Sequence, residues 1–260
     1  MADQDPFTCT EVTPDCPVED TIYGFRPNLG GNLFFVVLFG LLAIVNLVLG
    51  IRFRSWTYLI AMVLGAAVES LGHVGRVLLN DNPYSEIGFQ IQICCLIFAP
   101  AFIAAGIYLI LKHIVLCFGQ EYSFLKARYY TWLFIFCDLL SLAMQGLGGG
   151  LAATASDGSD MLFTGSDIMM AGICFQVVTM TTFGLFAAIY LVRLLRSRKP
   201  LSSTAQMVWR SVKFRLFLGG FVLAYLTTLI RCIYRIAEME GGWGSELMQS
   251  EVEFVVLDST

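Results

Sequence analysis

Six stretches of the chain, at 32–51, 56–79, 87–111, 129–153, 166–192 and 214–237, hold apolar residues with few interruptions. At a helical rise of ~1.5 Å per residue, about 20 residues cross the ~30 Å hydrocarbon core of a bilayer. Each stretch therefore predicts a membrane-spanning helix. A bilayer offers the backbone no hydrogen-bond partners, so spanning segments close their bonds internally as helices or barrels. The predicted fold class is all-α: a polytopic membrane helical bundle of the seven-helix type. Segment 1–30 reads as an extracellular N-terminal segment, 31–238 as a six-helix transmembrane bundle, and 239–260 as an outer loop with the start of a seventh helix. Composition agrees: 57% of the 260 residues are hydrophobic, 14% are charged, and mean hydropathy is +0.73.

Charge gives the bundle a direction. Arg52 and Arg54 follow the first stretch, and Lys112, Lys126 and Arg128 follow the third. Arg193, Arg196, Arg198, Lys199, Arg210, Lys213 and Arg215 lie between the fifth and sixth. These three connections hold twelve of the 16 basic residues, which predicts that they are cytoplasmic. The alternate connections are acidic, with Asp81 and Glu86, then Asp157, Asp160 and Asp167. The N-terminal segment is acidic too, so the N-terminus is expected outside the plasma membrane. It lacks the apolar region of a cleavable signal, and the first span is expected to act as the insertion signal. Cys9 and Cys16 lie in this outer segment, where a disulfide between them is expected. The connection 196–210 reads as a flexible, solvated loop. Beyond Glu238 come Gly241, Gly242 and Gly244, then acids and an apolar run at 254–257. This reads as an outer loop entering a seventh span that is truncated at Thr260.

The informative residues are the polar ones inside the apolar stretches. Glu69, His73 and Arg76, spaced four and three apart, share one stripe of the second helix. Ionisable groups at a helix centre cost roughly 2.5–3.5 kcal/mol each to insert, and those retained usually pair or function. Asp138, Ser141 and Gln145 share a face of the fourth helix; Arg231, Arg235 and Glu238 share one at the end of the sixth. Gln92 and Gln176 add neutral amides. In the predicted orientation all these groups fall in the middle or outer half, which implies a polar cavity opening outward. They are the candidate substrate-contacting residues, with Glu69 and Asp138 the deepest. Interhelical ion pairs are the alternative use, Glu69 with Arg231 or Arg235 and Arg76 with Glu238 or Asp138.

Other patterns concern packing. Small residues recur four apart at Ala61/Gly65, Ala101/Ala105, Gly146/Gly150 and Gly184/Ala188, a spacing that lets helices approach closely. Pro100 removes a backbone donor and predicts a kink in the third helix. Enzyme chemistry fits poorly. The two histidines, His73 and His113, do not make a three-histidine zinc site. No phosphate-binding G-x-x-x-x-G-K-[ST] sequence occurs. No cofactor is expected. The expected partners are membrane lipids and an amphipathic or lipophilic small-molecule substrate, with no nucleic acid.

The polar residues also form a recognisable set. Glu69-x-x-Gly72-His73-x-x-Arg76 resembles the second-helix motif of the fungal lipid-translocating exporters, also called the resistance-to-aminocholesterol family. The likeness continues through Gln92, Ala99-Pro100-Ala101-Phe102, Ala105 and Tyr108, then Asp138-x-x-Ser141-x-x-x-Gln145 with Gly148 and Gly150. Gly165, Gly172 and Gln176 fit the fifth helix, Arg231-x-x-Tyr234-Arg235-x-x-Glu238 the sixth, and Glu251 and Asp258 the entry to a seventh. The chain departs from the pattern at His73, where tyrosine is usual, and in its truncated seventh helix. The resemblance implies seven helices and translocation of amphipathic lipids such as sphingoid long-chain bases, with resistance to toxic lipophilic compounds. A seven-helix receptor or sensor for a lipophilic ligand is the alternative function.

Overall fold

The computed structural model describes residues 9, 11–21, 23–123, 127–154, 160–196 and 203–240. Seven α-helices lie among them: α1 Leu29–Arg52, α2 Trp56–Asp81, α3 Glu86–Phe118, α4 Ala127–Thr154, α5 Asp160–Arg196, α6 Ser203–Arg210 and α7 Val212–Glu240. Six, all but α6, are long and apolar enough to cross a membrane. They coincide with the six apolar stretches, and several run past them. The 33 residues of α3 extend ~50 Å, well beyond the hydrocarbon core.

Local chemistry sets where the helices begin. The Asn28 side chain accepts the Gly31 amide at 3.0 Å and so caps α1. Ser85 does the same for α3 from Gly88, with Glu86 in the first turn facing the positive helix end. A three-residue link, with Arg54 at φ 53°, turns α1 directly into α2. Such a short connection makes the two helices antiparallel neighbours.

α2 packs between α1 and α3, α4 between α3 and α5, and α7 lies against α5 and α3. Burial is inverted relative to a water-soluble protein. Phe34, Val37, Leu41, Ile44 and Val48 of α1 are exposed, whereas Glu69, His73, Ser141 and Arg76 are buried to within 1%. That surface suits hydrocarbon, and the protein is an integral membrane protein. Two of the apolar clusters among the described residues fill the two ends of the interior. One, around Tyr108, Phe118, Phe134, Phe183 and Tyr190, lies toward the end that carries α6. The other, around Ile93, Ile97, Met169, Ile173 and Met239, lies toward the end that carries the N-terminal segment.

Two expectations change in the fold. The connection 196–210 is not all loop, because Ser203–Arg210 forms α6. Ala205 is 1% exposed, and the Trp209 ring packs 5.5 Å from Phe118 and 6.0 Å from Phe214. Tertiary contact thus orders a polar sequence whose propensity alone is weak. On α4, the small pair Gly146/Gly150 does not make the close approach. Among the described residues a Cβ on Gly150 would meet nothing within 4 Å, whereas one on Gly148 would fall 2.5 Å from the Gly165 carbonyl oxygen. The expected seventh helix falls at 241–260, and the remainder of the polar connection at 197–202, both outside the described residues.

Candidate functional site

Glu69, His73 and Arg76 start from one stripe of α2 and reach three different neighbours. The Glu69 carboxylate, fully buried, forms an ion pair with Arg231 of α7. The second Arg231 nitrogen, Nη2, donates to the carbonyl of Leu96 at 3.1 Å. Leu96 stands four residues before Pro100, so its carbonyl is the one that the proline's missing N–H leaves unbonded. One guanidinium thus neutralises the acid of α2 and satisfies the carbonyl that the kink frees in α3. Glu69 with Arg231 is one of the ion pairs expected from sequence.

His73 turns the other way, toward α1. Its ring stacks on Phe35 and Phe39 at centroid distances of 4.9 and 5.8 Å, and Nδ1 lies 3.2 Å from the Asn32 side-chain oxygen. Arg76 points toward the N-terminal segment, its guanidinium 5.6 Å from the centre of the Tyr23 ring. Gln92 of α3 donates to the Tyr23 hydroxyl at 2.7 Å, and Arg235 pairs with Glu238 along α7 at 2.7 Å.

Tyr23 organises this end of the bundle, and the reading by polar residues alone misses it. The ring is 5% exposed, against Leu79, Phe25 and Phe89. Its segment is tied down by Tyr84 donating to the Pro17 carbonyl and Asn80 donating to the Pro27 carbonyl, each at 2.7 Å. A disulfide joins Cys9 to Cys16, their Cα atoms 6.1 Å apart. Burial pushes the Tyr23 hydroxyl up to about 12, with Arg76 pulling the other way, so it stays protonated at ordinary pH. An open cavity was expected here; the N-terminal segment fills the space instead. The available signal was a tyrosine and a phenylalanine within an acidic segment directly before the first span. Tyr23→Phe keeps the packing but leaves the Gln92 amide without its acceptor. We expect a loss of about 1–3 kcal/mol in docking of the segment. Faster amide hydrogen exchange over residues 11–27 would show it, and unchanged exchange would count against the bond.

Asp138 sits elsewhere. It is 3% exposed on α4, and the Tyr108 hydroxyl of α3 faces its carboxyl. Neither the two Asp138 oxygens nor the Tyr108 hydroxyl closes a hydrogen bond of normal geometry among the described residues. Glu69 is held at the level of Leu96 on α3 and Asp138 at that of Tyr108, Cα positions ~18 Å apart along the helix. A single cavity shared by these two acids is therefore not what the helices produce. Between α4 and α5, Gln145 donates to Gln176 at 3.0 Å, and the Gln145 oxygen and the Gln176 nitrogen have no hydrogen-bond partner among the described residues. Gly172 makes room for that pair, since a Cβ there would lie 2.8 Å from Gln145 Cγ. Ser141 bonds back to the Asp138 carbonyl at 2.8 Å. The described residues contain no group of three or more His, Cys, Asp or Glu able to hold a metal ion.

Comparison with known proteins places this arrangement. The family model described as RTA1 like protein matches residues 62–260. The sphingoid long-chain base transporter RSB1 of Saccharomyces cerevisiae (strain Lalvin EC1118 / Prise de mousse) is 28% identical over 263 residues, covering 91% of this chain and 69% of the relative. Protoporphyrin uptake protein 1 of Saccharomyces cerevisiae is 31% identical over 198 residues, covering 75% of this chain and 61% of that protein. Protein RTM1 of the same species is 25% identical over 209 residues, covering 79% and 63%. No solved structure matches. The family match takes in every polar position on α2, α3, α4, α5 and α7 described above, and the chain belongs to the RTA1-like family of membrane proteins.

Proposed function

We propose that the protein translocates amphipathic lipids with a cationic head, of the class of sphingoid long-chain bases, across the plasma membrane. The observation that carries the reading is Asp138. A carboxyl buried in the bundle, facing Tyr108 but with neither oxygen closing a hydrogen bond of normal geometry among the described residues, is costly unless something arrives to satisfy it. A primary ammonium brings three donors and the opposite charge. Glu69, the other deep acid, is already answered by Arg231, so headgroup contact falls to Asp138 while Glu69 holds the helices together. The unbonded amide atoms of Gln145 and Gln176 suit the hydroxyl groups of such a lipid. His73, Arg76, Gln92, Arg235 and Glu238 are engaged around α1 and the N-terminal segment, and their part is to hold that end of the bundle closed.

Orientation follows from charge. The connections at the α6 end hold twelve of the 16 basic residues, which favours the cytoplasm for that end. The Cys9–Cys16 disulfide at the other end suits an oxidising exterior.

The test is transport of a labelled sphingoid base by reconstituted protein carrying Asp138→Asn, which keeps the shape and removes the charge. We expect transport to fall at least about tenfold at equal protein level, the effect of roughly 1.4 kcal/mol on binding. Unchanged transport would remove Asp138 from headgroup recognition. Wild-type protein that binds the base in liposomes without moving it would instead favour a receptor or sensor.

A further inference from the structure

The geometry points to a tail site. We infer that the apolar slot between α5 and α7 receives the hydrocarbon chain of the same single-chain ammonium amphiphile whose head meets Asp138. The inference rests on the headgroup reading above and extends it to a second part of the ligand.

The slot has a volume of about 240 Å³. Phe183 and Tyr225 line one end of it and Leu194, Trp209 and Phe214 the other. From Phe183 to Leu194 the α5 backbone rises ~16 Å, close to the ~15 Å that one leaflet gives a lipid chain. The volume falls below the ~300–1,000 Å³ of drug-sized ligand sites, which suits one chain rather than two. Small residues keep the α5 wall thin, Gly184 and Ala188 both facing the slot one turn apart. A methyl on Gly184 would already stand 1.9 Å from the Tyr225 hydroxyl oxygen. Val222 and Leu226 line the slot and are also 43% and 45% exposed, so a chain can enter sideways from the bilayer.

What identifies the occupant is the acid near the Phe183 end. The Phe183 ring lies 4.4 Å from the Tyr108 ring, and the Tyr108 hydroxyl faces Asp138. The Phe183 and Tyr108 rings therefore stand between an apolar slot about one leaflet deep and a carboxyl that closes no hydrogen bond of normal geometry among the described residues. Rotation of both rings would join the two, and the combined site would be complementary to a single chain ending in a cation. Neither this slot nor the larger cavity of about 410 Å³ bounded by Ser55, Tyr58 and His113 has an acid on its walls; the slot differs in ending at Phe183, whose ring packs against Tyr108 beside Asp138. A lipid in the slot points its head away from the α6 end, the orientation of a molecule bound for the opposite leaflet.

The test uses full-length protein in unbrominated nanodiscs, with Trp209 as sole tryptophan after Trp56→Phe, Trp132→Phe and Trp243→Phe. The probe is a long-chain primary amine brominated along its tail. We expect saturable quenching of Trp209 that the unbrominated amine reverses. Ala188→Phe and, separately, Leu218→Phe fill the slot from opposite walls. Each is expected to weaken binding at least about tenfold. Each should also shift the preferred amine toward shorter chains in the transport assay, a shift that misfolding does not produce. Non-saturable quenching, or two filled variants with wild-type affinity and chain-length preference, overturns the tail site. If the filled variants behave as expected while Asp138→Asn binds and transports normally, the tail site stands and the headgroup reading fails.

Discussion

Arg231→Ala is expected to destabilise the protein by about 3–5 kcal/mol, because it strands a buried charge rather than merely removing a contact. Glu69 is 0% exposed, and its partner is the Arg231 guanidinium. The same substitution leaves the Leu96 carbonyl, already deprived of a donor by Pro100, without the bond that replaced it. The unfolding midpoint of purified protein in detergent reads the loss directly. A second variant separates the two contributions. Glu69→Gln with Arg231→Met removes both charges and is expected to recover most of the loss, since replacing a whole buried pair is often near neutral. The remainder, about 1–3 kcal/mol, reports the Leu96 carbonyl. If Arg231→Ala alone melts like the wild type, the clamp has no energetic role.

Gly148→Val is expected to disrupt the α4–α5 contact by about 3 kcal/mol or more, whereas Gly150→Val, two residues away, should stay within about 0.5 kcal/mol of wild type. The difference is what each Cβ would meet. At Gly148 the nearest atoms are the Gly165 oxygen and the Met169 nitrogen, both at 2.5 Å, and both backbone, so no rotamer change relieves the clash. Gly165 faces the same contact from α5, with the Ala152 nitrogen at 2.7 Å and the Gly148 oxygen at 2.8 Å. At Gly150 nothing among the described residues lies within 4 Å. Equal stabilities for the two valine variants would mean that the helices do not approach at Gly148.

The same pair of glycines shows how far sequence carries in such a bundle. Hydropathy locates each long helix among the described residues, since the bilayer sets a minimum length and one polarity for all of them. Spacing correctly groups Glu69, His73 and Arg76 on one face but says nothing of which neighbour each meets. That depends on helix order and rotation, and the long side chains then diverge to α7, α1 and the N-terminal segment. The small-residue pattern likewise identifies α4 as a close-packing helix and selects the wrong glycines, because four-residue spacing fixes a face without fixing its direction. Tyr23 escapes notice for a different reason: a short docked segment has no periodicity of its own. Glu69 with Arg231 was legible as one of several pairings. The reason Arg231 also turns to Leu96 lies in a backbone atom four residues before Pro100, visible once the two helices are side by side.

The Glu69–Arg231 contact also has a history in time. Its two residues are 162 positions apart. At synthesis rates of about 5–20 residues per second, α2 emerges from the ribosome roughly 8–30 s before the arginine exists. Throughout that interval a helix with a deep carboxyl must enter the bilayer without Arg231, against an insertion penalty of about 2.5–3.5 kcal/mol if the acid is charged. We expect ordered biogenesis, with α2 fixed only once α7 arrives. Ribosome-stalled chains ending before residue 231 should leave α2 extractable or glycosylation-tag accessible, and chains ending well past it should not.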